Sequence, residues 1–328
     1  MSAVKLHRLR LKPHGATLSP WQADTLFGHL CWEAFFQGGP KALQEFLAPF
    51  RAGKPPFVIS DGFPNDTFPC PLLPPGALVR GDKCERERAM DAAKERKKIT
   101  RLSHAQFEQF LRDGSLLTGT ENGLVSQSRF TLKNQINRLT STTRGATEDE
   151  KTGNLYAVRE FRFYSVEEQE RVPAHITIYI WAENDGRAQE AETWFRLLAR
   201  GGFDKKKSAG YGRFDVLSHE PFSLTTPAKP NGLVALANFV PAPSDPPIGL
   251  YKTRVKYGKL GEAAILNGKA LSPFKLPLMM LTAGSTFYCD AAVPPFVGKL
   301  VESIHPDDPT IVHGAFAPVV PIKLPPEA

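Results

Sequence analysis

At 328 residues, 41% of them hydrophobic and 23% charged, the chain has the composition of an ordinary globular protein with room for two domains. No run approaches the ~18 uninterrupted apolar residues of a membrane span, and the basic opening MSAVKLHRLRLKPHG lacks the apolar stretch of a secretory signal. The net charge of +7 admits a polyanionic partner without requiring one.

Cys31, Cys70, Cys84 and Cys289 lie far apart with no C-x-x-C pair. That argues against a zinc site or a disulfide framework and for reduced thiols in the cytoplasm.

In chain order, 4–11 (VKLHRLRL) reads as a strand. Its apolar alternation passes from Val4 and Leu6 to Leu9 and Leu11, which predicts a bulge near His7–Arg8. A helix follows, with Ser19 as N-cap, Pro20 at its first position and Gln22 completing a capping box. Ala23, Leu26, Phe27, Leu30, Cys31, Ala34 and Phe35 form its apolar stripe, and Gly38–Gly39 ends it. His29 falls off that stripe and, with Asp24, is expected to meet a neighbouring element or subunit.

Residues 40–80 are proline-rich, so the PFVIS segment is expected at a sheet edge. Residues 82–102 read as a highly charged helical arm, and Ser103 with Gln106 opens a short helix carrying Phe107, Phe110 and Leu111, stopped by Gly114. The polar 134–155 stretch reads as a long hairpin or protruding loop. AHITIYIW (174–181) is a strand with Ile176, Ile178 and Ile180 on one face. The next helix aligns Ala191, Trp194, Phe195 and Leu198 and ends at Gly201–Gly202.

Strand, helix, insertion, strand, helix, glycine-rich loop, strand is the order of a ferredoxin-like or RRM-like α+β unit with large insertions. TTPAKPNG (225–232) reads as a linker, and short strands among proline-rich loops beyond it predict a degenerate, mostly β second domain. The expected division is 1–222 and 223–328.

Positive charge is clustered. Lys5, Arg8, Arg10 and Lys12 lie in 1–14 without an acid, as do Arg129, Lys133, Arg138 and Arg144 in 122–147. Arg200, Lys205, Lys206, Lys207 and Arg213 face only Asp204, and Lys252, Arg254, Lys256 and Lys259 face no acid in 250–260. If they converge, these clusters suit a polyphosphate backbone; if not, they are separate solvated faces.

The most informative stretch is GGFDKKKSAGYGRF (201–214). Glycines let backbone N–H groups approach phosphate oxygens, and the lysines displace counterions. It is not a P-loop, because Lys206 stands where that pattern needs glycine and the loop runs from helix to strand. Tyr211 reads either as a stacking platform for a splayed base or as a core tyrosine with its hydroxyl at the surface.

This loop resembles the glycine-rich loop of the RAMP superfamily of CRISPR proteins. ADTLFGHLCW (23–32) is similar to the first helix of the handle-binding RAMP group, and INRLTSTTRGATEDEKTGNLY (136–156) to that group's hairpin. SPFKLPLMMLTAGSTF (272–287) and VHGAFAPVVPIKL (312–324) resemble the C-terminal half of the Csm-complex member. Nearly the whole chain, in order, resembles the family of subunit four of type III-A (Csm) CRISPR interference complexes.

The resemblance implies two packed ferredoxin-like RAMP domains and no catalytic activity; no cofactor or metal is expected. It implies a subunit that grips the repeat-derived 5′ tag of the CRISPR RNA and docks the large polymerase-like subunit and the backbone RAMP subunit. On this chain Lys205, Lys206, Lys207, Ser208, Gly210, Tyr211, Gly212 and Arg213 would line the tag. Arg138, Thr140, Thr143 and Arg144 would sit on the hairpin, although Ser141–Thr142 replaces the family's glycine there.

The eight histidines form no H-E-x-x-H pair and no metal-ligand spacing, and neither a G-x-S-x-G elbow nor a catalytic-cysteine signature is present. The enzymatic alternative is a CRISPR RNA-processing endoribonuclease of the same superfamily using His7 or His14 as general acid or base. A pure scaffold meeting acidic protein surfaces is a third reading.

Overall fold

The computed structural model describes residues 2–74, 90–91, 93–95, 98–114, 124–136, 141–143, 155–167, 170–261, 272–289 and 292–325. The first sheet is built from β1 (Ser2–Pro13), β2 (Phe57–Ile59), β3 (Phe63–Pro64), β9 (Ile176–Ala182) and β10 (Phe214–Thr226). Its order is β10-β1-β9-β2, with β3 also on β9, and every pair is antiparallel. Helix α1 (Ala23–Arg51) joins β1 to β2, and α3 (Asp185–Gly201) joins β9 to β10. Two helices linking four strands in this order is the arrangement of a β-α-β-β-α-β unit.

The apolar shift along β1 has a different cause from the bulge expected at His7–Arg8. Leu9 and Leu11 bury against α1 and α3, while Leu6 buries on the opposite face against Phe68, Tyr179 and α2 (His104–Asp113). The strand is covered on both faces, so hydrophobic residues occur in both registers. The irregularity lies further on: Arg10 pairs with Ser218 and Leu11 with Val216, which leaves Leu217 as the extra residue of β10.

Helix α1 starts three residues later than the capping box predicts. Ser19 does not cap it; its hydroxyl goes to Asp204 Oδ1 at 2.8 Å. The Ala23 N–H instead donates to Asp61 Oδ1 at 2.8 Å. At Gly38–Gly39 the backbone leaves helical geometry, with Gly39 at φ +68°, and a second helical stretch follows from Pro40. The expected stop is therefore a sharp bend.

The capping box on Ser103 and the left-handed Gly114 bound α2 as the sequence predicts. Residues 101–102 form strand β5 (Arg101–Leu102), paired with β4 (Phe68–Pro69), so the charged arm does not reach them. Within the arm, residues 90–91, 93–95 and 98 are helical, and 82–89, 92 and 96–97 lie outside the described residues.

Burial pushes the Asp61 carboxyl up to about 7, against the pull of the Ala23 N–H. Folded Asp61 then keeps a proton that the unfolded chain has lost, so its contribution to stability declines as pH rises from about 4 through 7. Asp61→Asn keeps the accepting oxygen without the charge. It is expected to gain on the order of 2–4 kcal/mol over wild type on going from pH 4 to pH 8, read by urea denaturation.

A second sheet has the order β12-β15-β11-β17-β16, with β11 (Gly232–Ala235) between β15 (Thr286–Tyr288) and β17 (His313–Ile322). β12 (Gly249–Leu250) and β16 (Phe296–Val301) form its edges. Among the described residues this half contains no α-helix. Leu233, Ala235, Val297, Phe316 and Val319 join the same buried cluster as α1 and α3, and Val234, Leu236, Val320 and Ile322 join that of α2. The two sheets thus share their cores.

Two ribbons form small sheets of their own, each joined to the rest by an isolated bridge, Thr17 to Phe161 and Phe239 to Leu281. One pairs β6 (Leu124–Asn134) with β7 (Leu155–Glu167) and β8 (Glu170–Pro173). The other pairs β13 (Thr253–Lys256) with β14 (Leu278–Leu281).

Candidate nucleic-acid interface

The glycine-rich loop leaves α3 at Gly202 (φ +71°), turns through a 3-10 segment at Lys207–Ala209, and enters β10 at Phe214. Asp204, the lone acid among its cations, is turned inward. Its carboxylate accepts the N–H groups of Leu18 and Ser19, the latter at 2.6 Å, and its own N–H donates to His29 Nε2 at 2.9 Å. That bond needs the neutral ring, and burial, with Lys207 nearby, lowers the His29 pKa to about 3. His29 therefore does meet a neighbouring element, as its place off the stripe implies. With Asp204 absorbed, Lys205 and Arg213 stand exposed and Lys206 and Lys207 half-buried on one turn.

The turn is closed by backbone pairing. Phe203 N–H donates to Gly212 O at 3.0 Å, Gly212 N–H to Ala16 O at 3.2 Å, and His14 N–H to Arg213 O at 2.9 Å.

One face of the first ribbon lies against this turn. Cross-strand partners share a face, so Arg129, Thr131 and Lys133 line up with Glu160, Val158 and Tyr156. Tyr211, only 7% exposed, donates its hydroxyl to Glu160 Oε1 at 2.6 Å. Lys133 Nζ lies 5.2 Å from the centre of the Tyr211 ring, and Lys206 Nζ 4.1 Å from that of Tyr156. Burial opposes ionisation of Glu160, but the Tyr211 hydroxyl and nearby cations hold its carboxyl below the usual range. Tyr211 thus ties loop to ribbon, and its ring is covered. Tyr211→Phe is expected to lower stability by roughly 1.5 kcal/mol in urea denaturation, because a buried carboxylate loses its donor.

Lys205, Lys206, Lys207, Ser208, Gly210, Tyr211, Gly212 and Arg213 thus lie on a single turn. Of the hairpin residues, Thr143 is exposed beside Ser141 and Thr142, while Arg138, Thr140 and Arg144 lie outside the described residues. The opposite face of the ribbon exposes Phe130, Leu132 and Leu155.

The N-terminal basic cluster does not join this surface intact. Arg8 Nη2 meets Glu220 Oε1 at 2.7 Å, and Arg10 Nη2 meets Asp66 Oδ2 at 2.7 Å. Both guanidiniums are committed to acids that arrive from 56 or more residues away. Lys5 and Lys12 remain exposed.

The two histidines of the enzymatic alternative sit apart. His7 is mostly buried, its ring 5.1 Å from that of His219 and its Nε2 3.4 Å from Asp185. Burial, with His219, lowers its pKa. His14 is more open, with Nε2 2.7 Å from Asp215 Oδ2, and lines a shallow cleft with Thr17, Trp21 and Phe161. Among the described residues no His, Cys, Asp and Glu group could hold a metal ion, and no helix is long and apolar enough to cross a membrane.

No family model matches the chain, and no curated protein matches it. Solved structures do. Aligned chains of the Csm1-Csm4 cassette in complex with AMPPNP superpose at TM-score 0.61 and 18% identity, covering 99% of this chain and 100% of that one. The Csm3-Csm4 subcomplex of the type III-A CRISPR-Cas interference complex matches at TM-score 0.51 and 12% identity, covering 98% and 100%. Csm4 is common to both assemblies. The chain has the Csm4 fold. Full coverage in both directions means that this fold extends across both sheets and both ribbons of the chain, as the family resemblance in its sequence implies. The Csm1-Csm4 cassette with cA4 superposes similarly, at TM-score 0.60 and 17% identity.

Proposed function

We propose that this chain is a non-catalytic RNA-binding subunit of a type III-A CRISPR effector ribonucleoprotein in the cytoplasm. It is built on two ferredoxin-like RAMP domains, divided near residue 222. The observation that carries the reading is the meeting of an acid-depleted, glycine-framed lysine turn with a protruding basic ribbon, on a chain of the Csm4 fold. Such a surface holds single-stranded RNA by phosphate contacts from its lysine and arginine side chains.

Its ligand in this reading is the repeat-derived 5′ tag of the CRISPR RNA. Lys205, Lys206, Lys207 and Arg213 contact phosphates, Gly210 leaves open space for close approach of the strand while Gly212 shapes the turn beneath it, and the hairpin with Arg138, Thr140, Thr143 and Arg144 abuts the tag. The neighbours of this fold are solved with Csm1 and with Csm3. Counterparts of those two chains, as the large polymerase-like and backbone subunits, are the proposed protein partners.

Replacing Lys205, Lys206 and Lys207 together by alanine tests the reading. Without these three phosphate-neutralising cations, the slope of log affinity against log salt should fall by about 2 for single-stranded repeat RNA. Unaltered affinity and slope would remove the loop from the interface.

The His14–Asp215 pair beside the loop favours one second reading, metal-independent cleavage of repeat RNA with His14 as general acid or base. Incubation of labelled repeat RNA with wild type and His14→Ala decides between them. Intact RNA in both supports the holding role, and cleavage abolished in the variant establishes the enzyme.

A further inference from the structure

The second ribbon is longer than its two strands. Beyond the β13–β14 pairing, Lys275 N–H donates to Gly258 O and Leu260 N–H to Pro273 O, both at 2.9 Å, and Lys259 bridges to Phe274. The arms therefore run as one antiparallel ribbon over residues 253–260 and 273–281. Val255 opposes Met279, and the surface here is apolar and bare: Val255 is 48% exposed, Tyr257 74%, Phe274 57% and Met279 64%. A folded chain has no internal reason to leave two rings and a methionine uncovered on one ribbon.

The charge along the two arms is of one sign, with Asp307 at the Ser272 end as the neighbouring acid. Residues 246–261 and 272–289 contain no Asp or Glu. Two of the ribbon's cations are used internally. Lys256 Nζ reaches Asp24, Gln22 and Thr25 at 2.8–2.9 Å, and Lys275 Nζ donates to Val312 O at 2.7 Å. Lys252, Arg254 and Lys259 remain exposed, with Lys259 Nζ 6.0 Å from the centre of the Phe274 ring. Rings exposed among unopposed cations are what single-stranded nucleic acid requires, bases stacking while phosphates are neutralised.

The ribbon and the glycine-rich loop are tied to neighbouring residues of the same segment, 18–29. Both are fastened to the start of α1, the loop through Asp204 to Leu18, Ser19 and His29, the ribbon through Lys256 to Gln22, Asp24 and Thr25. The ribbon's Gly261 then packs against Trp32, where a Cβ would come within 2.7 Å of Nε1. Between these anchorages α1 carries Gly28, at which a Cβ would meet nothing within 4 Å. A glycine in a helix interior weakens it relative to alanine, and no internal packing demands it here.

We propose that the 253–260/273–281 ribbon is a second single-stranded RNA contact, with Tyr257 and Phe274 stacking bases and Lys252, Arg254 and Lys259 neutralising phosphates of the strand held by the glycine-rich loop. The inference rests on the RNA-binding reading above. The full chain is titrated against fluorescein-labelled single-stranded RNA of mixed sequence, with the same RNA as a duplex for comparison.

Tyr257→Ala with Phe274→Ala is expected to weaken single-strand binding about tenfold or more, whereas Tyr257→Phe restores it. Replacing Lys252, Arg254 and Lys259 by alanine should lower the salt slope by about 2. These side chains are exposed, and unchanged thermal melts verify that the fold is retained. If both ribbon variants bind like wild type while the loop triple variant loses affinity, the ribbon proposal is overturned and the loop reading stands. If wild type binds no RNA at all, both fail. If RNA binding holds but association with the large subunit is lost, the ribbon faces protein and the proposal is overturned.

Discussion

Replacing Asp24 by alanine is expected to lower the folding free energy by about 3–5 kcal/mol, the usual cost of stranding a buried cation. Asp24 sits in the first turn of α1 with its side chain almost wholly buried. Lys256 Nζ lies 2.8 Å from its Oδ2 and His313 Nε2 3.2 Å from the same oxygen. Three distant parts of the chain meet there: the first helix, the second ribbon and the start of β17. Burial alone would raise the carboxyl, but His313 and Lys256 outweigh it and hold Asp24 well below the usual range. A group whose folded pKa is depressed gives stability above its unfolded pKa, near 3.8, and loses it as pH falls below that value. Burial also lowers His313, which opposes folding as pH falls below about 6.5. Wild type is therefore expected to lose stability on acidification, and Asp24→Ala to lose less between pH 5 and pH 2. Urea midpoints at several pH values check both statements. A variant as stable as wild type at pH 7 would mean that the joint contributes nothing.

The second large effect is expected at Gly212, where alanine should cost about 3 kcal/mol or more. The residue has φ +67°, and a Cβ would fall 1.8 Å from Phe203 O, a backbone atom that cannot step aside. Phe203 N–H donates to Gly212 O, so relieving the clash breaks the pairing that closes the turn. Gly210 is the internal control. It too has positive φ, +84°, but a Cβ there meets nothing within 4 Å, so alanine should cost about 1–2 kcal/mol from backbone strain alone. Denaturation of the two variants side by side separates conformation from close approach. Equal losses would show that the clash relaxes freely.

Much of this was legible in the sequence because it is local. The 3–4 spacing of α1, the capping box at Ser103, the isoleucine alternation of β9 and the glycine stop of α3 each depend on residues within one turn or one strand. What could not be read depends on contacts between distant segments. Arg8 and Arg10 look free until Asp66 and Glu220 arrive beside them. Ser19 looks like a cap until Asp204 takes its hydroxyl and Asp61 supplies the cap instead. The two-register pattern of β1 looks like a bulge because nothing local reveals that both faces of that strand will be covered. At the candidate site the lysines and glycines were visible as a run. The inward turn of Asp204 and the Tyr211–Glu160 bond were not, because their partners lie 185 and 51 positions away. Only the oddity of a single acid among those cations could have drawn notice to Asp204.

Strand β1 carries a further consequence for how the chain is made. It precedes both of its neighbours in synthesis by a long way, since they are residues 176–182 and 214–226. At roughly 5–20 residues per second of synthesis, β1 waits on the order of ten to forty seconds before β10 is available. Through that interval a strand with leucines on both faces and two open edges stands unpaired, and that is the form in which extended segments find wrong partners. Release of the chain before Thr226 would leave β1 with one edge permanently open, so truncated products should aggregate while the full-length chain stays dispersed.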